Sequence, residues 1–213
     1  MSKIKKAEEI AQMLVDNKTS WWGSLTDWDV LGNIIQPVDV DAEWVTGRDN
    51  YTFWFLLGEY FLPSRILEIG TRFGYGLWAV VKGAGVPVDQ IQITVYDFEC
   101  DGEVEPLKVC EQWLRARGIS DLHFHREDTQ KLDKLEVPQL VDFAVVDADH
   151  SEEGAYHDCC LAWECLRPGG VLVVDDTLPG PVRVAAERFA QEKGVEWGYI
   201  PSLRGIHIML KPE

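Results

Sequence analysis

The chain has 213 residues, 46% of them hydrophobic and 26% charged, and its 36 acidic against 20 basic side chains leave a formal net charge of −16. That describes one globular domain with a sizeable core and excludes a disordered chain. The acidic balance also disfavours nucleic acid as a partner, because binding a phosphate backbone rests on clustered Lys and Arg. Two readings of the acidity stay open: solubility, or a site built from carboxylates that needs a cation. No run approaches the roughly 18 apolar residues of a membrane span, and MSKIKKAEEIAQML lacks the apolar stretch of a secretion signal. A cytoplasmic protein without a membrane partner is expected. The cysteines, Cys100, Cys110, Cys159, Cys160 and Cys165, form no CxxC pair. Reduced thiols are expected, and a zinc site lacks the spacing.

In chain order, residues 3–17 place Ile4, Ala7, Ile10, Ala11 and Leu14 at helical spacing. The Trp-rich, acidic stretch TSWWGSLTDWDVLGNIIQPVDVDAEW takes no firm assignment. For Trp21, Trp22 and Trp28 three readings stand: core, subunit interface of a homo-oligomer, or a lid that stacks on substrate. Asn50 to Leu62 predicts an apolar helix stopped by Pro63, with the aromatics of NYTFWF as helix core. Strands and helices then alternate. RILEIG is a strand and GYGLWAVVKGAG a helix; IQITVYD is a strand and 104–117 a helix closed by Gly118. LHFHRE and QLVDFAVVDA are strands, 152–166 a helix, GGVLVVDD a strand, and 181–193 a helix with Pro181 at its first position. GVEWGYIPSLRGIHIMLKP predicts two strands joined at Gly205. Such alternation implies βαβ units and a mostly parallel sheet with helices on both faces, plus one antiparallel pair at an edge. The expected organisation is a helical extension or lid over residues 1–62, packed on an α/β domain over 63–213.

LEIGTRFGYG carries the first site. It leaves a strand and enters a helix, where Gly70 permits a tight turn, and Gly74 and Gly76 permit close backbone approach to a ligand at free helix N–H groups. A plain βα turn is the alternative. The spacing is G-x-x-x-G-x-G, not the dinucleotide G-x-G-x-x-G. Short-chain dehydrogenases share it, but they need a Tyr-x-x-x-Lys pair that this chain lacks. Glu68, two residues before the first glycine, fits an S-adenosylmethionine (SAM) site better. Thr71 and Tyr75 complete the loop, and Arg72 borders it. Asp97 ends the next strand, where an acid can accept both ribose hydroxyls. Asp128 either meets an adenine amino group or caps the turn at TQKL.

Four stretches together resemble the class I SAM-dependent methyltransferases, and most of all their small cation-dependent O-methyltransferases of caffeoyl-CoA and catechol type. EIGTRFGYG is similar to their cofactor loop, VVDADH to their VDADK segment, VVDDTLPG to their DNTLWNG segment, and IPSLRGIHIMLK to their closing hairpin. The resemblance covers roughly residues 60–212. It implies a Rossmann-like seven-stranded sheet of order 3-2-1-4-5-7-6. It implies SAM held by Glu68, Gly70, Thr71, Gly74, Tyr75, Gly76, Asp97, Asp128 and Asp147, and a metal held by Asp147, Asp175 and Asp176. In two places the chain departs from that pattern. Asp176 stands where the relatives have Asn, and His150 where they have Lys. Both lean toward a bacterial branch of sugar O-methyltransferases, related to proteins labelled cephalosporin hydroxylase, in which Asp-x-x-His supplies a ligand and a base.

The acidic trio also has a physical warrant. Asp147 and Asp175 end adjacent strands at the edge where open α/β sheets bind ligands. Three unpaired carboxylates there would repel one another, and hard oxygen ligands suit Mg2+, Mn2+ or Ca2+. A hydroxyl on such a cation loses its proton more easily, and His150 is the candidate catalytic base. The alternative is capping, and Asp149 with Ser151 suits the start of the 152–166 helix. His157, seven residues past His150, is a candidate neighbour of the site. His123 and His125 share a strand face without further ligands. The expected activity is cation-dependent methyl transfer from SAM to a hydroxyl of a small molecule, a sugar or other natural product. A non-catalytic SAM-binding module and, further off, an NAD-type oxidoreductase are the alternatives.

Overall fold

The computed structural model describes the backbone over residues 7–21, 42–98 and 106–213, and side chains over 7–16, 51–98 and 106–213. Two helices lead, α1 (Ala7–Trp21) and α2 (Ala42–Phe61). Then come β1 (Arg65–Ile69), α3 (Tyr75–Ala84), β2 (Gln92–Tyr96), α4 (Pro106–Ala116), β3 (Asp121–His125) and β4 (Val141–Val146). The chain closes with α5 (Glu152–Cys165), β5 (Leu166–Val174), α6 (Pro181–Lys193), β6 (Trp197–Ile200) and β7 (Ile206–Leu210). The seven strands form one sheet in the order β3-β2-β1-β4-β5-β7-β6, the order the resemblance implies. β3, β2, β1, β4 and β5 run parallel, and β7 returns antiparallel to both β5 and β6.

The central strands read as apolar runs because both their faces are covered. Successive residues feed opposite layers. Ile66, Phe143 and Val145 pack with α1, α2, α3 and α4. Leu67, Ile69, Ala144 and Val146 pack with α5 and α6. α1 sits against the sheet edge through Ala7, Ile10, Ala11 and Leu14, all buried. A Cβ on Gly198 of β6 would lie 2.2 Å from the Ala7 carbonyl oxygen, so the strand must be bare there.

Three boundaries differ from expectation, and the first is that α1 runs on past residue 17 to Trp21. α2 begins at Ala42, well before Asn50. No proline interrupts it, and Gly47, within the added stretch, costs a helix only about 1 kcal/mol. β5 begins at Leu166 and passes through Pro168, Gly169 and Gly170, with an irregular register opposite Val141 to Phe143. Turn residues are tolerated there because a bulge absorbs them. Residues 3–6 and 104–105 of two expected helices, the side chain of Trp21, and Trp22, Trp28 and Cys100 lie outside the described residues. No described helix is long and apolar enough to cross a membrane.

Candidate active site

Ile69, Val146 and Val174 are in register across β1, β4 and β5. The residues that follow them, Gly70, Asp147 and Asp175, therefore leave the sheet side by side. Backbone bonds carry the ladder one step further, from Asp147 N–H to the Ile69 oxygen (2.9 Å) and from Asp175 N–H to the Val146 oxygen (3.0 Å). This is the carboxyl edge at a reversal of strand order, where open α/β sheets bind ligands.

The glycine loop wraps this edge. Gly70 has φ +82°, and a Cβ on it would lie 2.1 Å from the Asp147 carbonyl oxygen. Gly74 has φ +78°, and its Cβ would lie 2.4 Å from Cys110 Sγ. The fold itself demands both glycines. Gly76 is different, since a Cβ there would meet only ordinary contacts, Trp54 at 3.7 Å and Glu68 at 3.8 Å. Its bareness leaves room beside the first turn of α3. Asp97 locks the loop from below, its Oδ2 accepting from the backbone N–H of Thr71 (3.0 Å) and of Arg72 (2.7 Å). That anchoring was not foreseen. Charge-assisted bonds to two amides hold the loop in one shape. Glu68 is buried beneath it, with Oε2 lacking a hydrogen-bond partner, and burial pushes its carboxyl up to about 8. Tyr75, half-buried, meets Tyr51 of α2 edge-on, ring centres 6.0 Å apart. Asp128 performs the capping role, accepting from Gln130 N–H (3.1 Å) and pairing with Lys131 (2.9 Å).

The acidic cluster stands next to this loop. Asp147, His150 and Asp176 each offer an atom within 4.8 Å of the others. His150 Nε2 lies 3.1 Å from Asp176 Oδ2 and 3.7 Å from Asp147 Oδ1. These two carboxylates hold the imidazole up at about 10, so with them as partners it is a cation. Asp147 lies deep in the cleft although 32% of its side chain meets open space. Desolvation there, followed by the charge of Asp176, raises its carboxyl against the pull of His150. Asp176 reaches the group through a left-handed backbone, φ +55°, which Asp tolerates better than most residues. Of the expected metal trio, then, Asp147 and Asp176 come together with His150. Asp175 is buried and stands outside that group.

Two further residues face this cluster without having been singled out as part of it. Arg204, in the β6–β7 turn, places Nη1 3.6 Å from Asp176 Oδ2. Burial works to lower its pKa, but Asp176, Asp175 and Asp147 together hold it above its ordinary value. Tyr51, half-buried, lies within electrostatic reach of Arg204, Asp147 and Asp175, and desolvation drives its phenol well up. In the sequence it reads as helix core. It does pack partly against the core, and its register on α2 also brings it near the acidic cluster, which no local pattern marks.

Other expectations resolve as structure. Ser151 caps α5, accepting from Gly154 N–H (3.1 Å), while Asp149 accepts from Ser151 N–H (2.7 Å). His157 does not join the cluster. Its Nε2 is committed to the carbonyl oxygens of Thr129 (3.1 Å) and Leu132 (3.0 Å), because the α5 register points it at that loop. His123 pairs with Asp121 (2.7 Å), and His125 stacks on Tyr96 at 4.3 Å.

Residues 67–177, which hold the glycine loop and every acid of the cluster, match the family described as "Methyltransferase domain". The chain belongs to this methyltransferase family. The match argues against the oxidoreductase alternative. No curated protein matches the methyltransferase in sequence. Among solved structures it is similar to the S-adenosylhomocysteine-bound methyltransferase PaMTH1 from Podospora anserina, at 14% identity and TM-score 0.64 over 100% of each chain. It is also similar to the O-methyltransferase TomG from Streptomyces achromogenes, involved in tomaymycin synthesis and solved with SAM, at 18% identity and TM-score 0.58 over 100% of this chain and 93% of that one. A third is the O-methyltransferase from Bacillus cereus in complex with S-adenosylhomocysteine, at 16% identity and TM-score 0.57 over 99% of this chain and 94% of that one. At these identities the likeness is one of fold. The methyltransferase shares the fold of all three.

Proposed function

We propose that the methyltransferase is a SAM-dependent, divalent-cation-dependent O-methyltransferase of small hydroxylated molecules. The observation that carries this is the convergence of Asp147, His150 and Asp176 within 4.8 Å, beside a glycine loop locked by Asp97. The two carboxylates suit a hard cation such as Mg2+ or Mn2+, and their partly exposed side chains leave space for other oxygen ligands, with His150 beside them as a base. Asp147 and Asp176 would hold the cation, with Asp175 behind them. Gly70, Thr71, Gly74, Tyr75 and Gly76 would line the SAM site, with Glu68 beneath, Asp97 and Asp128 toward the adenosine, and Asp147 toward the methionine end. When bound, SAM supplies an electrophilic methyl group, and the cation lowers the pKa of a nearby hydroxyl. His150 Nε2 is the proton acceptor for that hydroxyl. With a cation held by Asp147 and Asp176, their hold on the imidazole would weaken and its pKa would fall back toward the ordinary range, where it could act as a base. Tyr51, Tyr75 and Arg204 would wall the cleft, and α2 would serve as its lid.

The reading carries two further expectations, a cytoplasmic location and a sugar or other natural product as substrate. The four described cysteines, Cys110, Cys159, Cys160 and Cys165, are free thiols. Calorimetry with SAM and S-adenosylhomocysteine, each with and without Mg2+ or Mn2+, tests the site. Failure of both adenosyl ligands to bind would sink the reading. Unchanged cation affinity in Asp147→Ala and Asp176→Ala would make the cluster a structural one.

A further inference from the structure

Arg204 is placed by backbone, not by its charge. Its turn docks on the segment after Asp176, with Thr177 N–H donating to the Gly205 oxygen (3.0 Å) and Leu178 N–H to the Arg204 oxygen (2.9 Å). Gly205 N–H donates to Ser202 Oγ (2.9 Å), and a Cβ on Gly205 would lie 2.8 Å from the Leu178 nitrogen. The guanidinium carried by this turn reaches Asp176 Oδ2, the oxygen that His150 Nε2 also approaches. A divalent cation shared by Asp147 and Asp176 competes for the same carboxylate, and two positive charges at that range repel. The Arg204 side chain is 44% exposed, so it can swing away without unpacking the core. We propose that Arg204 is a tethered counter-ion of Asp176 that a divalent cation must displace, and hence a positioning residue that sets the affinity of the cluster for the cation. The inference rests on the cation reading above. It adds to His150 a second internal positive charge that lets Asp147 and Asp176 stand together in the folded protein.

The test follows Mn2+ binding to the full chain by calorimetry and by the Mn2+ paramagnetic resonance signal, in the wild type, Arg204→Gln and Arg204→Lys. Thermal unfolding is measured alongside, in EDTA and in Mn2+. The Gln variant binds Mn2+ on the order of tenfold tighter, because the competing charge is gone. It melts lower than wild type in EDTA and rises more on adding Mn2+. The Lys variant stays near wild type on both counts. A merely structural role would lower the melting temperature in both media alike. Equal or weaker Mn2+ affinity in the Gln variant overturns the role of Arg204 and leaves the cation reading standing. Mn2+ binding to none of the three chains overturns the cation reading, and the inference with it.

Discussion

Replacing Glu68 with Gln gives the sharpest check on the electrostatics under the cofactor loop. Glu68 is buried, its Oε2 has no hydrogen-bond partner, and burial lifts its carboxyl from 4.5 to about 8. Below pH 4.5 the side chain is protonated in both folded and unfolded states and exerts no pH-dependent effect. Between 4.5 and about 8 the folded protein keeps a proton that the unfolded chain has released, so folding stability falls as pH rises. At roughly 1.4 kcal/mol per unit, a gap of about 3.5 units sets a ceiling of about 5 kcal/mol, reached above pH 8. The Gln variant is neutral throughout and escapes this loss. Urea unfolding of both chains in EDTA, from pH 5 to pH 9, is the assay, with EDTA keeping cations from Asp147. The two stabilities nearly coincide at pH 5, apart from a constant offset for the altered bond to Thr71. By pH 8 the variant leads by several kcal/mol. Parallel curves across the range would mean that Glu68 is ionised in the folded protein and that the argument from burial is wrong.

Three more outcomes follow from the same geometry. His207 is fully buried between Trp197 and Tyr199, and burial lowers its pKa to about 4. Its folded pKa is depressed, so stability is lost as pH falls from 6.5 toward 4. His207→Phe removes about 2 kcal/mol of that slope by pH 5, read from the same unfolding curves. Gly70→Ala places a methyl against the Asp147 carbonyl at a positive φ and costs about 3 kcal/mol or more, measured by thermal unfolding. Asp97→Asn removes the charge that holds the Thr71 and Arg72 amides, and SAM affinity drops on the order of tenfold by calorimetry while the fold persists. An unchanged SAM affinity would show that the loop keeps its shape without Asp97.

Periodicity and punctuation made the sheet readable before its structure. Pro181 and Gly194 bracket α6, Pro63 follows α2, and the alternation of strands with helices dictates parallel pairing, because only a helical crossover returns the chain in the same direction. The acids were legible for a related reason. A carboxylate directly after an apolar strand has to sit at the strand's end, and Asp97, Asp147 and Asp175 each sit there. Which of them face one another was not written locally. Asp176 joins Asp147 and His150 because its backbone takes a left-handed turn, while Asp175, one residue earlier, is buried outside the group. Tyr51 and Arg204 enter the site from opposite ends of the chain. Tyr51 comes on α2, a helix packed closely on α3, and Arg204 on a turn that reaches the carboxyl edge only because β7 runs antiparallel to β5. Local sequence determines element type and strand ends, since backbone hydrogen bonding and side-chain period act over a few residues. The electrostatic partners of the site were decided by tertiary structure alone, because charge acts through space and takes no account of distance along the chain.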